Sequence, residues 1–205
     1  MVAAGVEIVE IMISDEALMA EFQGGSQEAF EELFARYRGP LYGFFRRRLR
    51  GDQRADDLTQ ETFLAVIRAS ARYEPRALVR TYLYAIAMNL LAAERRKLFR
   101  DSPPGKIAPE PASHDAPDAV LWIRQALERL DEPEREILML REYEQLSYAE
   151  IAELMKLPVN AVRSRLFRSR MALKGYLEPE RKTADTAATG VAESVKQARA
   201  ESEAI

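Results

Sequence analysis

The sequence of 205 residues contains no cysteine and only one histidine, His114. Without cysteine the chain can form neither a disulfide framework nor a thiolate metal site, which fits a reducing cytoplasm. Because His114 lies among prolines, catalysis centred on a histidine is nearly excluded, and a metal site would consist of carboxylates alone. The sequence also lacks a glycine-rich loop that cradles phosphates. We therefore expect no enzymatic activity, no cofactor and no metal.

Long apolar runs are also missing. No stretch approaches the roughly 20 apolar residues that span a bilayer. The first residues lack the basic start of a signal peptide. These absences predict a cytoplasmic protein without membrane insertion.

The net charge of −3 conceals alternating blocks of charge. Residues 30–100 carry 15 basic and 8 acidic side chains, and residues 159–182 carry 7 and 2. Between them, residues 101–158 carry 6 basic and 13 acidic side chains. Since attraction to phosphate falls off within about 10 Å at ordinary salt, a chain that is acidic overall can still bind DNA through two basic surfaces.

The stretch from Leu146 to Leu177 predicts a short helix, a tight turn and a longer helix. Ser147 and Glu150 have the spacing of a capping box, so a helix should start at Ser147. The small Ala152 would let a second helix cross closely. Pro158 suits the first turn of the next helix, because its φ is already helical and its missing N–H would be unpaired there.

The longer of these helices carries a candidate face for reading DNA. Val162, Leu166 and Leu173 form an apolar stripe. A second face of the helix carries the candidate DNA-reading residues, with two further arginines flanking it. Arginine can bond guanine bidentately in the major groove, and phenylalanine can touch a thymine methyl. A solvated basic face on a core helix is the alternative, but the capped helix and the Pro158 turn favour DNA binding. The candidates are Arg163, Ser164, Arg165, Phe167, Arg168 and Arg170.

The first half of the chain predicts further helices. Ser14 and Asp15 are candidate caps of a short helix that reaches Phe22, and Ser26 is a candidate cap of the next helix. Gly39-Pro40 should interrupt the helix that Ser26 opens. The arginine run that includes Arg46, Arg47 and Arg48 is most often a solvated face, although it could contact nucleic acid or an acidic partner. A helix should begin at Asp56 and bury Leu58, Phe63, Val66 and Ile67, and another should run from about Val79 to Phe99.

Two polar sets in this half are candidate contact sites. Asp57, Gln60 and Glu61 offer an acidic surface suited to a basic partner helix. A loop offers Tyr73 and Arg76 between the helix that should begin at Asp56 and the helix that should begin at about Val79. Asn89 follows on the second of these helices. Such groups can stack on or hydrogen-bond unpaired bases.

The composition predicts two domains. Five of the ten prolines lie between residues 101 and 117, where we expect a linker. A further amphipathic helix should span Ala119 to Leu130 with Ile123 inward, and Pro133 should start another. The prediction is all-α: a helical domain at 14–100, a linker at 101–118, a helix-turn-helix domain at 119–177 and a disordered tail at 178–205.

Several segments resemble the extracytoplasmic-function subfamily of bacterial sigma-70 factors. FEELFARYRGPLYGF, DDLTQETFLAVIRA and TYLYAIAMNLLAAERRK resemble the second conserved region of that subfamily. LERLDEPEREILMLREYEQLSYAEIAELMKLPVNAVRSRLFRSR resembles its fourth region. The resemblance covers about residues 26–177, with both regions in the right order and the third region absent.

This resemblance implies a subunit that binds core RNA polymerase and promoter DNA, starts melting the duplex and is held by an anti-sigma factor. The residues implied in docking on core polymerase are Asp57, Gln60, Glu61 and Phe63. Those implied at the minus ten element are Tyr73, Glu74, Arg76, Leu78, Asn89, Arg95, Arg96 and Lys97. The residues implied as readers of the minus thirty-five element are Arg163, Ser164, Phe167 and Arg168, with Arg165 and Arg170 on the DNA backbone.

The chain departs from the family pattern at two places. Tyr82, which Thr81 precedes, stands where the family commonly has a tryptophan, and this difference should weaken base stacking. Lys156 stands where glycine is usual, so if the turn needs a positive φ it carries about 1 kcal/mol of strain. A sigma-like decoy or a simple DNA-binding repressor remains as an alternative function, and an enzyme is the least favoured.

Overall fold

The computed structural model describes residues 13–49, 51–74, 78–101 and 118–177, and these residues confirm the all-α prediction. The described part contains eight α-helices, one short 3-10 turn at Ser70–Arg72 and no strand. The predicted linker, apart from its ends, and the predicted tail lie outside the described residues. The helices are α1 (Asp15–Gln23), α2 (Gln27–Arg46), α3 (Asp52–Ala69), α4 (Val79–Asp101), α5 (Asp118–Glu128), α6 (Glu132–Glu142), α7 (Tyr148–Met155) and α8 (Val159–Leu177).

The described residues separate into two compact units. The first lies within Met1–Pro111 and Met139–Val162, and the second lies within Ala112–Leu138 and Arg163–Ile205. The first unit thus contains α1 to α4 together with α7 and its flanking turns. The domain boundaries given by the sequence stay a prediction. None of the helices in the described ranges is both long and apolar enough to cross a bilayer.

Serine caps and an aromatic cluster define the start of the first unit. The Ser14 hydroxyl accepts a hydrogen bond from the Ala17 N–H (3.2 Å), and the Ser26 hydroxyl accepts one from the Ala29 N–H (3.1 Å). The predicted cap at Ser26 is confirmed, and of the two candidates for α1 Ser14 is the cap while Asp15 is the first helical residue. The packed rings that join α1, α2 and α3 belong to Phe22, Phe30, Phe34 and Phe63.

The predicted interruption at Gly39-Pro40 is wrong, because α2 continues through Pro40 to Arg46. Proline removes one helical hydrogen bond and crowds the preceding turn, which commonly breaks or kinks a helix. Here Tyr37 and Leu41 are both buried, so the apolar stripe of α2 runs past the proline on either side. Tertiary packing overrides the local signal.

Helix α3 starts four residues before the predicted Asp56. Gly51 has a positive φ of 86°, and the helix begins directly after it at Asp52. A left-handed residue at this point is inexpensive only for glycine. The prediction that Ile67 is buried is also wrong, because 45% of its surface is exposed. Burial on α3 instead follows the stripe of Leu58, Thr62 and Val66, which leaves Ile67 at its margin.

The second unit packs α5, the first part of α6 and most of α8 together. The fully buried Ser169 hydroxyl donates to the Arg165 carbonyl (2.8 Å) or to the Glu134 carbonyl on α6 (3.3 Å). Ile123, expected to point inward, is 41% exposed. The buried face of α5 centres one turn later, on Ala126, and continues to Leu130.

Candidate nucleic-acid and partner interfaces

The capping box at the start of α7 is confirmed. The Ser147 hydroxyl accepts a hydrogen bond from the Glu150 N–H (3.2 Å). The Glu150 carboxylate in turn accepts one from the Ser147 N–H (2.7 Å). Two backbone donors that a helix start leaves without partners are thereby satisfied, which fixes where α7 begins.

In the turn that follows α7, Lys156 stands where glycine is usual and adopts the left-handed conformation. Lys156 has φ 53° and ψ 46°. For a residue with a side chain this conformation costs about 1 kcal/mol. The Leu157 N–H donates to the Ala152 carbonyl (2.9 Å), so the turn still closes the helix. Pro158 comes directly before α8 and accepts from the Val162 N–H (3.2 Å).

The structure exposes the predicted DNA-reading side chains of α8 along one face. Val162 and Leu166 are fully buried. On the opposite side, the residues that we call the reading face are Arg163, Ser164, Phe167 and Arg168, and all four are exposed. Phe167 is 66% exposed, and an exposed phenyl ring between guanidinium groups favours a contact surface over a core. Arg165 is half-buried and Arg170 is exposed.

The sequence reasoning missed Met171, which is 52% exposed. It lies one helical turn after Phe167 and extends the apolar part of the reading face. The spacing of four residues was the available signal. Arg168 is 3.7 Å from the Glu134 carboxylate, but its side chain is 64% exposed, so this ion pair is loose and leaves the guanidinium accessible.

Helix α3 presents the predicted acidic residues at its surface. Asp57 is half-buried, whereas Gln60 and Glu61 are exposed. Phe63 differs from them, because it is 4% exposed and its ring lies 4.7 Å from that of Phe34. The exposed apolar residue on the acidic side is Leu64 (48%), which the prediction missed. We call Asp57, Gln60, Glu61 and Leu64 the docking face.

Arg54 ties the docking face to α4. Its guanidinium donates to both oxygens of Glu94 on α4 (2.6 and 2.8 Å). It also lies 3.3 Å from Glu61 and 3.6 Å from Asp57. The hydrogen bonds from Arg54 hold the pKa of the Glu94 carboxyl below its usual value, so Glu94 is ionised at neutral pH. This pairing fixes α3 against α4 while the docking face stays accessible.

The predicted minus ten residues occupy two parts of the structure. Tyr73 is buried, with its ring 5.1 Å from that of Tyr82 at the start of α4. Burial raises the pKa of both phenols, which therefore stay neutral at ordinary pH. Glu74 is exposed and Leu78 is 51% exposed. Arg76 lies outside the described residues.

The remaining minus ten candidates follow α4 towards its basic end. Asn89 and Arg96 are both exposed. They are seven residues apart, as are Tyr82 and Asn89, so the three residues lie on one face of α4. Along the helix axis this face extends about 21 Å from Tyr82 to Arg96. Lys97 is exposed as well, and Arg95 is half-buried. Phe99, which the prediction missed, is 74% exposed. It borders a shallow groove of about 540 Å³ that Arg95, Arg96, Arg100 and Ala93 also line.

Part of the arginine run at the end of α2 is not a solvated face. The Arg48 side chain is 1% exposed and donates to the Glu144 carboxylate (2.9 Å), whose exposure is also 1%. Arg47 donates to the same carboxylate at 2.9 and 3.0 Å. Arg80 donates to the Glu144 carbonyl. These guanidinium groups hold the turn before α7 inside the first unit.

Comparison with known proteins identifies relatives along most of the chain. The model for sigma-70 region 2 matches residues 33–100, and the model for sigma-70 region 4 matches residues 121–173. The RNA polymerase sigma-H factor of Pseudomonas aeruginosa is 31% identical over 182 residues, which cover 80% of this chain and 94% of that protein. The ECF RNA polymerase sigma-E factor of Haemophilus influenzae is 30% identical, covering 82% of this chain and 97% of that protein.

A solved structure agrees with these matches. The structure of CnrH in complex with the cytosolic domain of CnrY superposes with a TM-score of 0.64 at 27% identity. The match covers 81% of this chain and 98% of CnrH. The similarity therefore extends over both matched regions.

Proposed function

We propose roles for these surfaces on the premise that this chain belongs to the extracytoplasmic-function subfamily of the sigma-70 family of RNA polymerase sigma factors. It is a sigma factor that recognises promoters and acts in transcription initiation. The observation that carries this conclusion is the match to both region 2 and region 4, in order, within one chain. As an initiation factor it directs the polymerase and is not itself a catalyst.

The reading face of α8 is proposed to bind the minus thirty-five element as intact duplex. Arg163 and Arg168 would hydrogen-bond base edges in the major groove, and Phe167 would contact a thymine methyl. Ser164 would add a hydroxyl donor to either base or phosphate. Arg165 and Arg170 flank this face and would contact phosphates, which fix register without reading sequence.

The face that runs along α4 is proposed to hold the melted minus ten strand. Unpairing and flipping a base costs a few kcal/mol, so the protein must stack or hydrogen-bond the extruded base to offset it. The exposed Leu78 and Asn89 would contact such a base, and the buried Tyr73 would act through the ring of Tyr82 that it contacts. The candidates for neighbouring contacts, including phosphates, are Glu74, Arg76, Arg95, Arg96 and Lys97.

The docking face on α3 is proposed to bind core RNA polymerase. Its exposed carboxylates and Gln60 suit a basic helix, and Leu64 supplies an apolar contact between them. The linker at 101–118 would let the two DNA-binding domains act on one promoter, since tethering makes the second contact intramolecular. The protein would act in the cytoplasm with the polymerase. Because CnrH binds the cytosolic domain of CnrY, we also propose a protein regulator of the anti-sigma kind.

Transcription with purified components tests the function directly. The chain and core polymerase are combined with a library of promoter fragments, and run-off transcripts are sequenced. We expect transcripts that start a fixed distance downstream of two shared sequence elements. A decoy would bind polymerase without producing transcripts, and a repressor would bind DNA without needing polymerase. Either result would overturn the proposal.

We expect the substitution Arg168→Ala to weaken promoter binding by the polymerase holoenzyme by about 1–3 kcal/mol and to relax preference at one position of the upstream element. The reason is loss of a guanidinium that bonds a base edge. Footprinting on a set of single-base promoter variants measures both effects. Arg124→Ala removes the same charge from an exposed site on α5 and serves as the control. A footprint of unchanged strength and preference would refute the assignment.

We expect joint replacement of Asp57 and Gln60 by alanine to lower affinity for core polymerase by about tenfold, because two contacts at the centre of the docking face are lost. Pull-down with immobilised core enzyme measures the affinity. The control is joint replacement of Gln27 and Glu31, an exposed pair on α2 joined by a 2.7 Å hydrogen bond. Capture of the Asp57 and Gln60 variant at wild-type strength would count against the docking face.

A further inference from the structure

Arg54 on α3 turns two parts of its guanidinium group towards different neighbours. Nε and Nη2 donate to the two carboxylate oxygens of Glu94 on α4, at 2.8 and 2.6 Å. The remaining nitrogen, Nη1, lies 3.3 Å from the Glu61 carboxylate and 3.6 Å from the Asp57 carboxylate. One arginine thus bridges a carboxylate on α4 and the two carboxylates of the docking face.

The two sides of this bridge differ in their exposure to solvent. The Glu94 side chain is 9% exposed, whereas the side chains of Asp57 and Glu61 are 41% and 45% exposed. A bidentate pair with a shielded carboxylate is stronger, and less screened by salt, than single contacts at an exposed surface. Glu94 is therefore the main partner of Arg54, and the contacts with the docking face are the weaker ones.

The charges of these four side chains determine what a basic partner meets. Three carboxylates and one guanidinium give the cluster a net charge of −2, which equals the charge of Asp57 and Glu61 alone. Glu94 thus offsets Arg54, and the docking face keeps the full charge of its own carboxylates. Without Glu94 the cluster would carry −1, and the whole guanidinium would be available to pair with Asp57 and Glu61.

We infer that Glu94 is a positioning residue for polymerase binding, which acts through Arg54 to preserve the negative charge of the docking face. The inference rests on the proposed function, in which that face binds a basic helix of core polymerase. Complementary charge at an interface steers the approach of a partner and acts mainly on the association rate. The sequence does not indicate this role, because 40 residues separate Arg54 from Glu94.

The test measures binding of the full chain to core polymerase without DNA. DNA is left out because Lys97, a minus ten candidate, also acts on Glu94. The hydrogen bonds from Arg54 and, to a smaller extent, the charge of Lys97 hold the pKa of the Glu94 carboxyl below its usual value. Stopped-flow fluorescence of a chain that carries a dye at its C-terminus gives the association and dissociation rate constants at low and high salt.

Three variants are compared with the wild type: Glu94→Gln, Arg54→Gln and the double variant that carries both substitutions. The control is Glu32→Gln, which removes a carboxylate that pairs with Arg36 at 2.8 Å on α2. It matches Glu94→Gln in removing one charge and one ion pair with an arginine, but it lies outside the docking cluster. Circular dichroism checks that each variant is folded.

We expect Glu94→Gln to lower the association rate constant roughly threefold at low salt. The difference should disappear at high salt, because exposed charges are then screened. Arg54→Gln should associate at least as fast as the wild type. The double variant should match the wild type, since its docking cluster again carries −2. The dissociation rate constants, and both rate constants of Glu32→Gln, should stay close to those of the wild type.

A purely structural role of the ion pair predicts a different pattern, in which all three variants bind more weakly at every salt concentration. That pattern would overturn the inference, and so would an association rate of Glu94→Gln equal to that of the wild type at low salt. If Glu94→Gln does not fold, slower association of Arg54→Gln or of the double variant is the result that overturns it.

Failure of the docking face itself is distinguishable. If the joint replacement of Asp57 and Gln60 binds polymerase at wild-type strength, the proposed docking face fails. If that replacement weakens binding while Glu94→Gln associates like the wild type, only the role of Glu94 is overturned.

Discussion

Replacing Glu144 by alanine should lower the free energy of unfolding by about 3–5 kcal/mol, the range for breaking a buried ion pair by removing one partner. The Glu144 carboxylate is 1% exposed and accepts hydrogen bonds from Arg47 and from the equally buried Arg48. Its removal leaves the Arg48 charge inside the first unit without its carboxylate. Urea denaturation followed by circular dichroism measures the change.

The control for this prediction is Glu153→Ala, which removes an exposed carboxylate from α7 and should change stability by no more than about 0.5 kcal/mol. The joint replacement of Arg48 by methionine and Glu144 by leucine should restore much of the loss, because an apolar pair avoids burying charge. If Glu144→Ala and Glu153→Ala unfold at the same urea concentration, the buried pair contributes nothing to stability.

Phe63→Ala should lower the free energy of unfolding by about 3–5 kcal/mol, the usual cost of deleting a buried phenyl ring. The Phe63 ring is 4.7 Å from that of Phe34 and meets that of Phe30 edge-on at 6.2 Å. The family resemblance places Phe63 among the residues that dock on core polymerase, and that role stays a prediction. Its burial predicts that the substitution acts mainly on the fold.

The neighbouring substitution Leu64→Ala separates the two roles. Leu64 is 48% exposed, so its loss should cost less than about 1 kcal/mol of stability. It should nevertheless weaken polymerase binding, because Leu64 belongs to the docking face. Chemical denaturation and polymerase pull-down are measured on both variants. A folded Phe63→Ala protein of wild-type stability with poor polymerase binding would reverse the assignment.

Features set by neighbouring residues were predictable from the sequence. The capping box of Ser147 and Glu150, the caps at Ser14 and Ser26 and the separation of the reading face from the buried stripe all depend on spacings within one or two turns. The reading face was found because its polar residues repeat at helical intervals beside Val162 and Leu166.

Features set by distant residues were not predictable in the same way. The burial of Arg48 depends on Glu144, 96 residues away, and the contact of Gln23 with Tyr73 spans 50 residues. The helix through Pro40 and the exposure of Ile67 likewise depend on which side of α2 and α3 the bundle covers. A single sequence gives the period of an apolar stripe but not which of its marginal positions a neighbouring helix covers.

The left-handed Lys156 makes the turn between α7 and α8 a place where protein engineering can gain stability without altering a DNA-facing side chain. Glycine would relieve the crowding around the lysine Cβ, while the hydrogen bond that closes α7 comes from the next residue, Leu157. Retaining lysine keeps a cation beside the negative end of α7, where the helix dipole favours it. At this turn, lysine thus accepts a strained backbone conformation and in return places a favourable charge at the end of α7.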